Sequence, residues 1–218
     1  MKTVVSAATV AFLLVAGPAS AESVTFDGAW QPVSFPLMRS TQFEMLGDRI
    51  EIRAENATGL AWTRLDPRFA DATTASWSWS SERSVPPTDL TQRGGEDRNA
   101  ALSFVFAGPE TARRAAQGAS ITSLMGADDV RILSYVYGGD RPAGSGFASP
   151  SRRLEGRGFV IVKRPAGPGS FSETADIRAD FRAAFGEEAG VLVGLAVSGD
   201  SDDTDTLMVS RIERLTLR

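Results

Sequence analysis

The chain has 218 residues, of which 23 are lysine or arginine and 27 are aspartate or glutamate, and its formal net charge is −4 at neutral pH. This acidic balance excludes non-specific nucleic-acid binding, which requires a basic surface. The sequence contains neither histidine nor cysteine, which excludes Ser-His-Asp and Cys-His catalysis, zinc sites built from those residues, and disulfides. The chemistry that remains possible is that of carboxylates, tyrosine and arginine, and of hard cations bound through oxygen.

The N-terminus has the pattern of a secretory signal peptide. Lys2 provides the positive start, residues 4–15 the apolar centre, and Ala19-Ser20-Ala21 the small-residue cleavage motif. We therefore predict that residues 1–21 are cleaved off and that residues 22–218 form a single domain, periplasmic or secreted. No apolar run of about eighteen residues follows, so the sequence predicts no transmembrane segment in the mature chain.

The first part of the mature chain predicts short strands. Residues 22–36 carry scattered apolar side chains that indicate one or two strands. Residues 43–54 indicate a hairpin, because apolar and charged side chains alternate in its second half. A further strand is predicted over residues 59–65, where Asp66-Pro67 ends it.

Two strands rich in aromatic residues flank a long polar loop. Residues 73–81 form one predicted strand, in which a spacing of two residues puts Trp77 and Trp79 on the same face. Residues 82–98 contain proline and glycine pairs and are long for a hairpin, which indicates a functional loop. Residues 101–106 then resume as a strand.

The middle of the chain predicts two helices among strands. A short surface helix is predicted over residues 109–117, and a second helix over residues 174–185, capped by Thr174 and ended by Gly186. The elements between them are a strand over 130–137, a long loop over 138–158 and a strand over 159–164.

The strand and loop near the C-terminus are the segment around which we expect the fold to be built. Residues 190–198 are apolar at both parities, which is typical of a strand buried on both faces. The next loop places four carboxylates within six residues, namely Asp200, Asp202, Asp203 and Asp205. A last strand is predicted over residues 207–217. About nine or ten short strands without a βαβ rhythm predict a mostly β fold, a jelly-roll-like β-sandwich with one or two short helices.

The acidic loop has three interpretations. Clustered carboxylates repel each other unless a cation offsets them, so Asp200, Asp202, Asp203 and Asp205 are candidate ligands of Ca²⁺. The loop lacks the glycine and glutamate of an EF-hand. The same residues also suit a structural network with arginines, or a solvated turn in which aspartates cap backbone amides. The sequence leaves these alternatives open.

Trp77 and Trp79 are candidate binding residues on account of their shared face. Exposed, the two indoles would form a platform for a sugar ring or a cation. Buried, they would fill the core of the sandwich. We favour the core, because large exposed apolar patches are uncommon.

The long polar loop and the next long loop each carry charged candidates. Glu96, Asp97 and Arg98 either bind sugar hydroxyls, provide the acid and base of a glycan hydrolase, or form an ion pair that pins the loop. We favour the ion pair, because the chain is rich in arginine. Arg153 belongs to a small basic patch that either solubilises its loop or contacts a phosphate or a uronic acid.

Several short motifs occur in a fixed order from about residue 50 to residue 217. They are Trp77-Ser-Trp79, the loop at 94–101, Leu133-Ser-Tyr-Val-Tyr-Gly138, the helix at 177–186 and the segment at 193–204. This order resembles an uncharacterised exported bacterial family, DUF3047. The resemblance implies export and a sandwich similar to glycan-binding modules.

The residues and the resemblance together predict a non-catalytic binding or interaction module. Its expected partner is a cell-envelope glycan or an envelope protein. The alternatives are a carboxylate-dependent glycan hydrolase or lyase, and a structural protein that its acidic loop stabilises by binding calcium.

Overall fold

The computed structural model describes residues 21–218, so the predicted signal peptide lies outside the described residues except for Ala21. The strands are β1 (Glu22–Ser23), β2 (Gln31–Val33), β3 (Gln42–Met45), β4 (Arg49–Glu55), β5 (Leu60–Arg64), β6 (Thr74–Arg83), β7 (Arg98–Ala107), β8 (Val130–Gly138), β9 (Gly146–Ala148), β10 (Gly158–Arg164), β11 (Gly169–Asp176), β12 (Val191–Asp200) and β13 (Leu207–Leu217). The α-helices are α1 (Pro109–Ala116), α2 (Ile121–Met125) and α3 (Ile177–Phe185). None of the helices described is long and apolar enough to cross a membrane.

The strands form two sheets. The six-stranded sheet has the order β11-β6-β13-β4-β3, with β1 beside β13, and the seven-stranded sheet has the order β2-β5-β12-β7-β8-β10-β9. Strand neighbours are antiparallel except β8 and β10, which run parallel. This arrangement confirms the predicted mostly β, jelly-roll-like sandwich. Most of the predicted strands match to within a few residues.

The core between the sheets is rich in aromatic side chains. Trp77 and Trp79 on β6 are 2% and 1% exposed. Their rings lie 5.3 and 5.7 Å from those of Tyr135 and Tyr137 on β8 of the opposite sheet. Both indoles therefore point inward, as their two-residue spacing requires. They are core residues and cannot form the sugar platform that was the alternative.

The predicted second helix begins later than expected. Residues 169–176 form the edge strand β11, which pairs antiparallel with β6; the hydroxyl pairs Ser76–Thr174 and Ser78–Ser172 add side-chain bonds across it. The N-cap of α3 is therefore Asp176, whose carboxylate accepts from the Ala179 N–H at 2.9 Å, and not Thr174. Gly186 ends the helix in the left-handed conformation, as predicted.

Two other elements were not predicted. Helix α2 precedes β8, and the loop predicted over residues 138–158 contains the short strand β9. Helices α1 and α2 cover one end of the outer face of the seven-stranded sheet, where Ala115 and Leu124 form a buried cluster with Val105 and Val193.

Candidate functional site

The outer face of the seven-stranded sheet carries a groove of about 920 Å³. Alternation along the strands builds its floor: Leu102 and Phe104 of β7 point into the core, whereas Ser103 points outward. On the adjacent strand β12, Ala196 and Ser198 face the groove in the same way. Space exists above these strands because the outward side chains are small. The volume lies near the upper end of the range of small-molecule sites, about 300–1,000 Å³.

The floor of the groove is mainly aliphatic. Across β7 and β8, Val105 pairs with Ile132 on one side of the Ser103–Ser134 pair. On the other side of that pair Ala101 lies opposite Val136, and Leu60, Trp62 and Val160 extend the lining onto β5 and β10. The hydroxyls of Ser103 and Ser134 are 2.7 Å apart and bond to each other. This bond leaves one free O–H donor in the middle of a floor that is otherwise mainly apolar.

Segments from opposite edges of the sheet form a roof over the groove. In a flat sheet the six intervals from β2 to β9 would separate the edges by roughly 29 Å. Yet the Arg153 guanidinium carbon lies 5.9 Å from the centre of the Phe35 ring. Phe35 follows β2, Arg153 follows β9, and both line the groove. We call these two segments, residues 34–39 and 149–157, the roof.

One end of the groove is acidic, because the long polar loop and the acidic loop meet there. Asp97 is 0% exposed, and its carboxylate accepts from the N–H groups of Asp203 and Thr204 at 3.2 and 2.8 Å. It also accepts from the Thr204 hydroxyl at 2.6 Å. In return, the Glu96 N–H donates to the Asp203 carboxylate at 3.1 Å. Asp97 therefore joins the two loops and is not available to a ligand.

Asp200 and Arg98 form a nearly buried ion pair on neighbouring strands. The other carboxylate oxygen of Asp200 accepts from the Thr58 hydroxyl at 2.7 Å and the Gly59 N–H at 3.1 Å. Arg98 also donates to the Ser198 hydroxyl and to the Glu96 carbonyl. For Asp200, the arginine network is thus the interpretation that matches the structure.

Asp202 and Asp203 line the acidic end together with Glu96. Burial, together with the nearby carboxylates of Asp200, Asp203 and Asp97, raises the pKa of Asp202 to about 6. Burial and the Asp97 carboxylate raise the pKa of Asp203. These two carboxylates are the members of the acidic loop that face the groove.

The four candidate calcium ligands do not act as one group. Asp200 is bonded to Arg98, Asp202 and Asp203 face the groove, and Asp205 is exposed. Within residues 21–218, the structure contains no group of three or more acidic side chains arranged to hold a metal ion.

Sequence reasoning missed the groove itself. Trp62 is the large aromatic residue of its floor, and the Arg64 guanidinium lies 5.8 Å from the Trp62 ring centre. The alternation of the strand could have indicated its position, because Trp62 is next to the core residue Ala61 and therefore lies on the opposite face of the sheet. The position of Phe35 in the groove could not be predicted from the sequence, since only the folded chain brings this residue near Arg153.

The chain belongs to the family described as protein of unknown function (DUF3047), which matches residues 28–216 and confirms the resemblance. None of the curated proteins matches it. One similar solved structure is the xyloglucanase domain of NopAA, a type three effector from Sinorhizobium fredii, in complex with cellobiose. It is 9% identical, with a TM-score of 0.43 over 93% of this chain and 99% of that chain. Another is the family 11 xylanase from Neocallimastix patriciarum, 11% identical, with a TM-score of 0.37 over 87% of this chain and 99% of that chain. Likeness at this level does not carry an activity from one protein to another.

Proposed function

We propose that this member of the DUF3047 family is a non-catalytic binding domain whose ligand lies in the groove on the outer face of the seven-stranded sheet. The observation that supports this most is the groove itself, about 920 Å³ between the floor and the roof. Apolar walls with a few polar groups at one end are the usual composition of a small-molecule site.

The distribution of carboxylates favours binding over hydrolysis. Glycosidases place two carboxyls about 5–10 Å apart around the bond that they cleave. Among the described residues that line the groove, the carboxylates are Glu96, Asp200, Asp202 and Asp203, all at one end. The middle of the floor offers alanine, serine and branched aliphatic side chains instead. A ligand lying along the middle of the floor would therefore meet no acid and base pair, and only a group at the acidic end would lie among carboxylates.

A saccharide is the ligand group that the acidic end would receive. Sugar hydroxyls donate hydrogen bonds, and ionised carboxylates are strong acceptors for them. Glu96, Asp202 and Asp203 would accept these bonds at the groove. The signal-peptide pattern supports a location in the periplasm or outside the cell, where the envelope would supply such ligands.

Titration calorimetry with cell-envelope saccharides and glycolipids tests this proposal. We expect heat from the unaltered chain and none from Ala196→Phe, which fills the floor of the groove beside Trp62 and Ser103. Ala183→Phe is the matched control, because Ala183 is exposed on α3 and does not line the groove. Binding that survives Ala196→Phe would place the ligand elsewhere. Saccharide cleavage that Asp202→Asn abolishes would make the domain an enzyme.

A further inference from the structure

We propose that the ligand is a glycolipid-like amphiphile, with a linear aliphatic chain along the floor and an uncharged saccharide head at the acidic end. This rests on the proposed function, because it assigns a ligand class to the same groove. The floor, the roof and the acidic end each restrict the ligand differently, and an amphiphile meets all three restrictions.

The floor selects an aliphatic chain. A saccharide bound along a sheet needs aromatic faces for its rings and free donors or acceptors for its hydroxyls. Here the central hydroxyls of Ser103 and Ser134 bond to each other, and Val105, Ile132 and Val136 flank them. The floor therefore offers sugar rings Trp62 as its one large aromatic face among the described residues, and sugar hydroxyls over the middle of the floor would lose water and find only the O–H that the serine pair leaves free. Methylene groups lose nothing there and gain the hydrophobic effect.

The roof gives the chain site a second apolar side, so that it is more than a bare apolar face. Phe35 and Leu154 come from opposite edges of the sheet and both line the space. Met38 and Met125 line it as well, and methionine side chains adapt to irregular or variable partners. A flexible chain enclosed on two sides by such residues is buried along its length.

The acidic end selects the head group. Three groove-lining carboxylates, Glu96, Asp202 and Asp203, face it, whereas the nearby Arg98 is neutralised by Asp200. An anionic head, such as a fatty-acid carboxylate or a phosphate, would be repelled by these carboxylates. The other two arginines that line the groove within residues 21–218, Arg153 and Arg157, belong to the roof and not to the two loops that form this end. A neutral saccharide head would instead donate its hydroxyls to these carboxylates.

Titration with n-alkyl glucosides of increasing chain length, below their critical micelle concentrations, tests the inference. Transfer of one methylene from water is worth about 0.8 kcal/mol, so each added methylene should tighten binding about fourfold. An n-alkyl sulfate of equal length should bind about tenfold more weakly, because of its anionic head. Ala196→Phe should abolish binding of the whole series, and Ala183→Phe should leave it unchanged.

The outcomes separate this inference from the proposed function. A flat chain-length series, or an alkyl sulfate that binds as tightly as the glucoside, overturns the glycolipid assignment. So does chain-dependent binding that persists in Ala196→Phe, because that is detergent adsorption elsewhere. If chain-free oligosaccharides bind and Ala196→Phe blocks them, the groove remains the binding site and its ligand is a plain glycan. If neither saccharides nor amphiphiles bind, both proposals fail.

Discussion

Asp97→Asn is the substitution that most directly tests how the acidic end is held. The side chain keeps its shape and loses one of two acceptor oxygens. In the native chain one carboxylate oxygen accepts from the Thr204 N–H and hydroxyl, and the other accepts from the Asp203 N–H. The best placement of the asparagine amide keeps its oxygen toward Thr204, which turns the NH₂ group against the Asp203 N–H.

The expected loss follows from these three bonds. Hydrogen bonds to charged groups contribute about 1.5–3 kcal/mol and neutral ones about 0.5–1.5. Two bonds to Thr204 become neutral, at about 1 kcal/mol each, and the bond to Asp203 is lost, at about 2 kcal/mol. Since bonds within one network are not additive, we expect a decrease of about 3 kcal/mol in the free energy of unfolding. For a domain of this size that lowers Tm by about 6–12 °C.

Thermal unfolding followed by circular dichroism at neutral pH measures this loss. Asp205→Asn is the matched control: it makes the same chemical change in the same loop, at an exposed residue. Asp205 has a φ of 50°, a conformation that asparagine tolerates well, so the control should stay within about 0.5 kcal/mol of the native chain. Equal melting temperatures for the two variants would refute the assignment of Asp97 as the residue that joins the loops.

Three further predictions concern the groove and the core. The pKa of Asp202 is raised from 3.8 to about 6, mainly by burial, so its contribution to stability is present below pH 4 and is lost as the pH rises to about 6. Asp202→Asn should therefore flatten this part of the curve of stability against pH and raise the free energy of unfolding by about 1 kcal/mol at pH 7 to 8 after solvent screening. A curve parallel to that of the native chain would contradict this. Gly199→Ala should lower the free energy of unfolding by about 1–3 kcal/mol through overpacking, because its Cβ would lie 2.5 Å from Met208 Cε and 2.8 Å from Ile52 Cγ2. The control Gly28→Ala adds a methyl group with nothing within 4 Å. Equal denaturant midpoints for the two variants would show that the core rearranges to accommodate the added methyl group. Tm should be the same in calcium and in chelator, because Asp200 is already bonded to Arg98; a Tm that rises with calcium concentration would establish a metal site instead.

The strands that bury one face were predictable, and the edge strand β11 was not. Its residues alternate in burial but include few large apolar side chains, and two hydroxyl pairs supplement its backbone pairing with β6. Thr174 and Asp176 are both good N-caps, and only the pairing of residue 174 with Ser76 decides between them. N-cap preference alone cannot identify the first residue of the helix when strand pairing in the folded chain extends up to its first turn.

The residues of the acidic end were predicted, but their roles only in part, and the floor of the groove was not predicted. Glu96, Asp97 and Asp203 do come together, from loops about one hundred residues apart. The most buried of the predicted carboxylates, Asp97, joins the loops and does not face a ligand, whereas Glu96 lines the groove. The sequence shows which residues carry a charge, but the role of each carboxylate depends on its solvent exposure and on its bonding partners in the folded chain.

Strand β12 shows why an apolar sequence segment did not indicate the groove on the outer face of the sheet. Leu195 and Val197 point into the core, and Val193 on the opposite face is covered by α1 and α2, which is what apolarity at both parities predicts. Beyond Val193, however, the outward positions are Ala196 and Ser198, and they line the groove. Alanine and serine suit a packed face and the floor of a binding site equally well, because both lack bulk. What distinguishes the two cases is that the neighbouring strands are also small at the matching outward positions, as at Ser103 on β7 and Ser134 on β8. Small side chains at matching registers on three adjacent strands leave a continuous space that no single strand reveals.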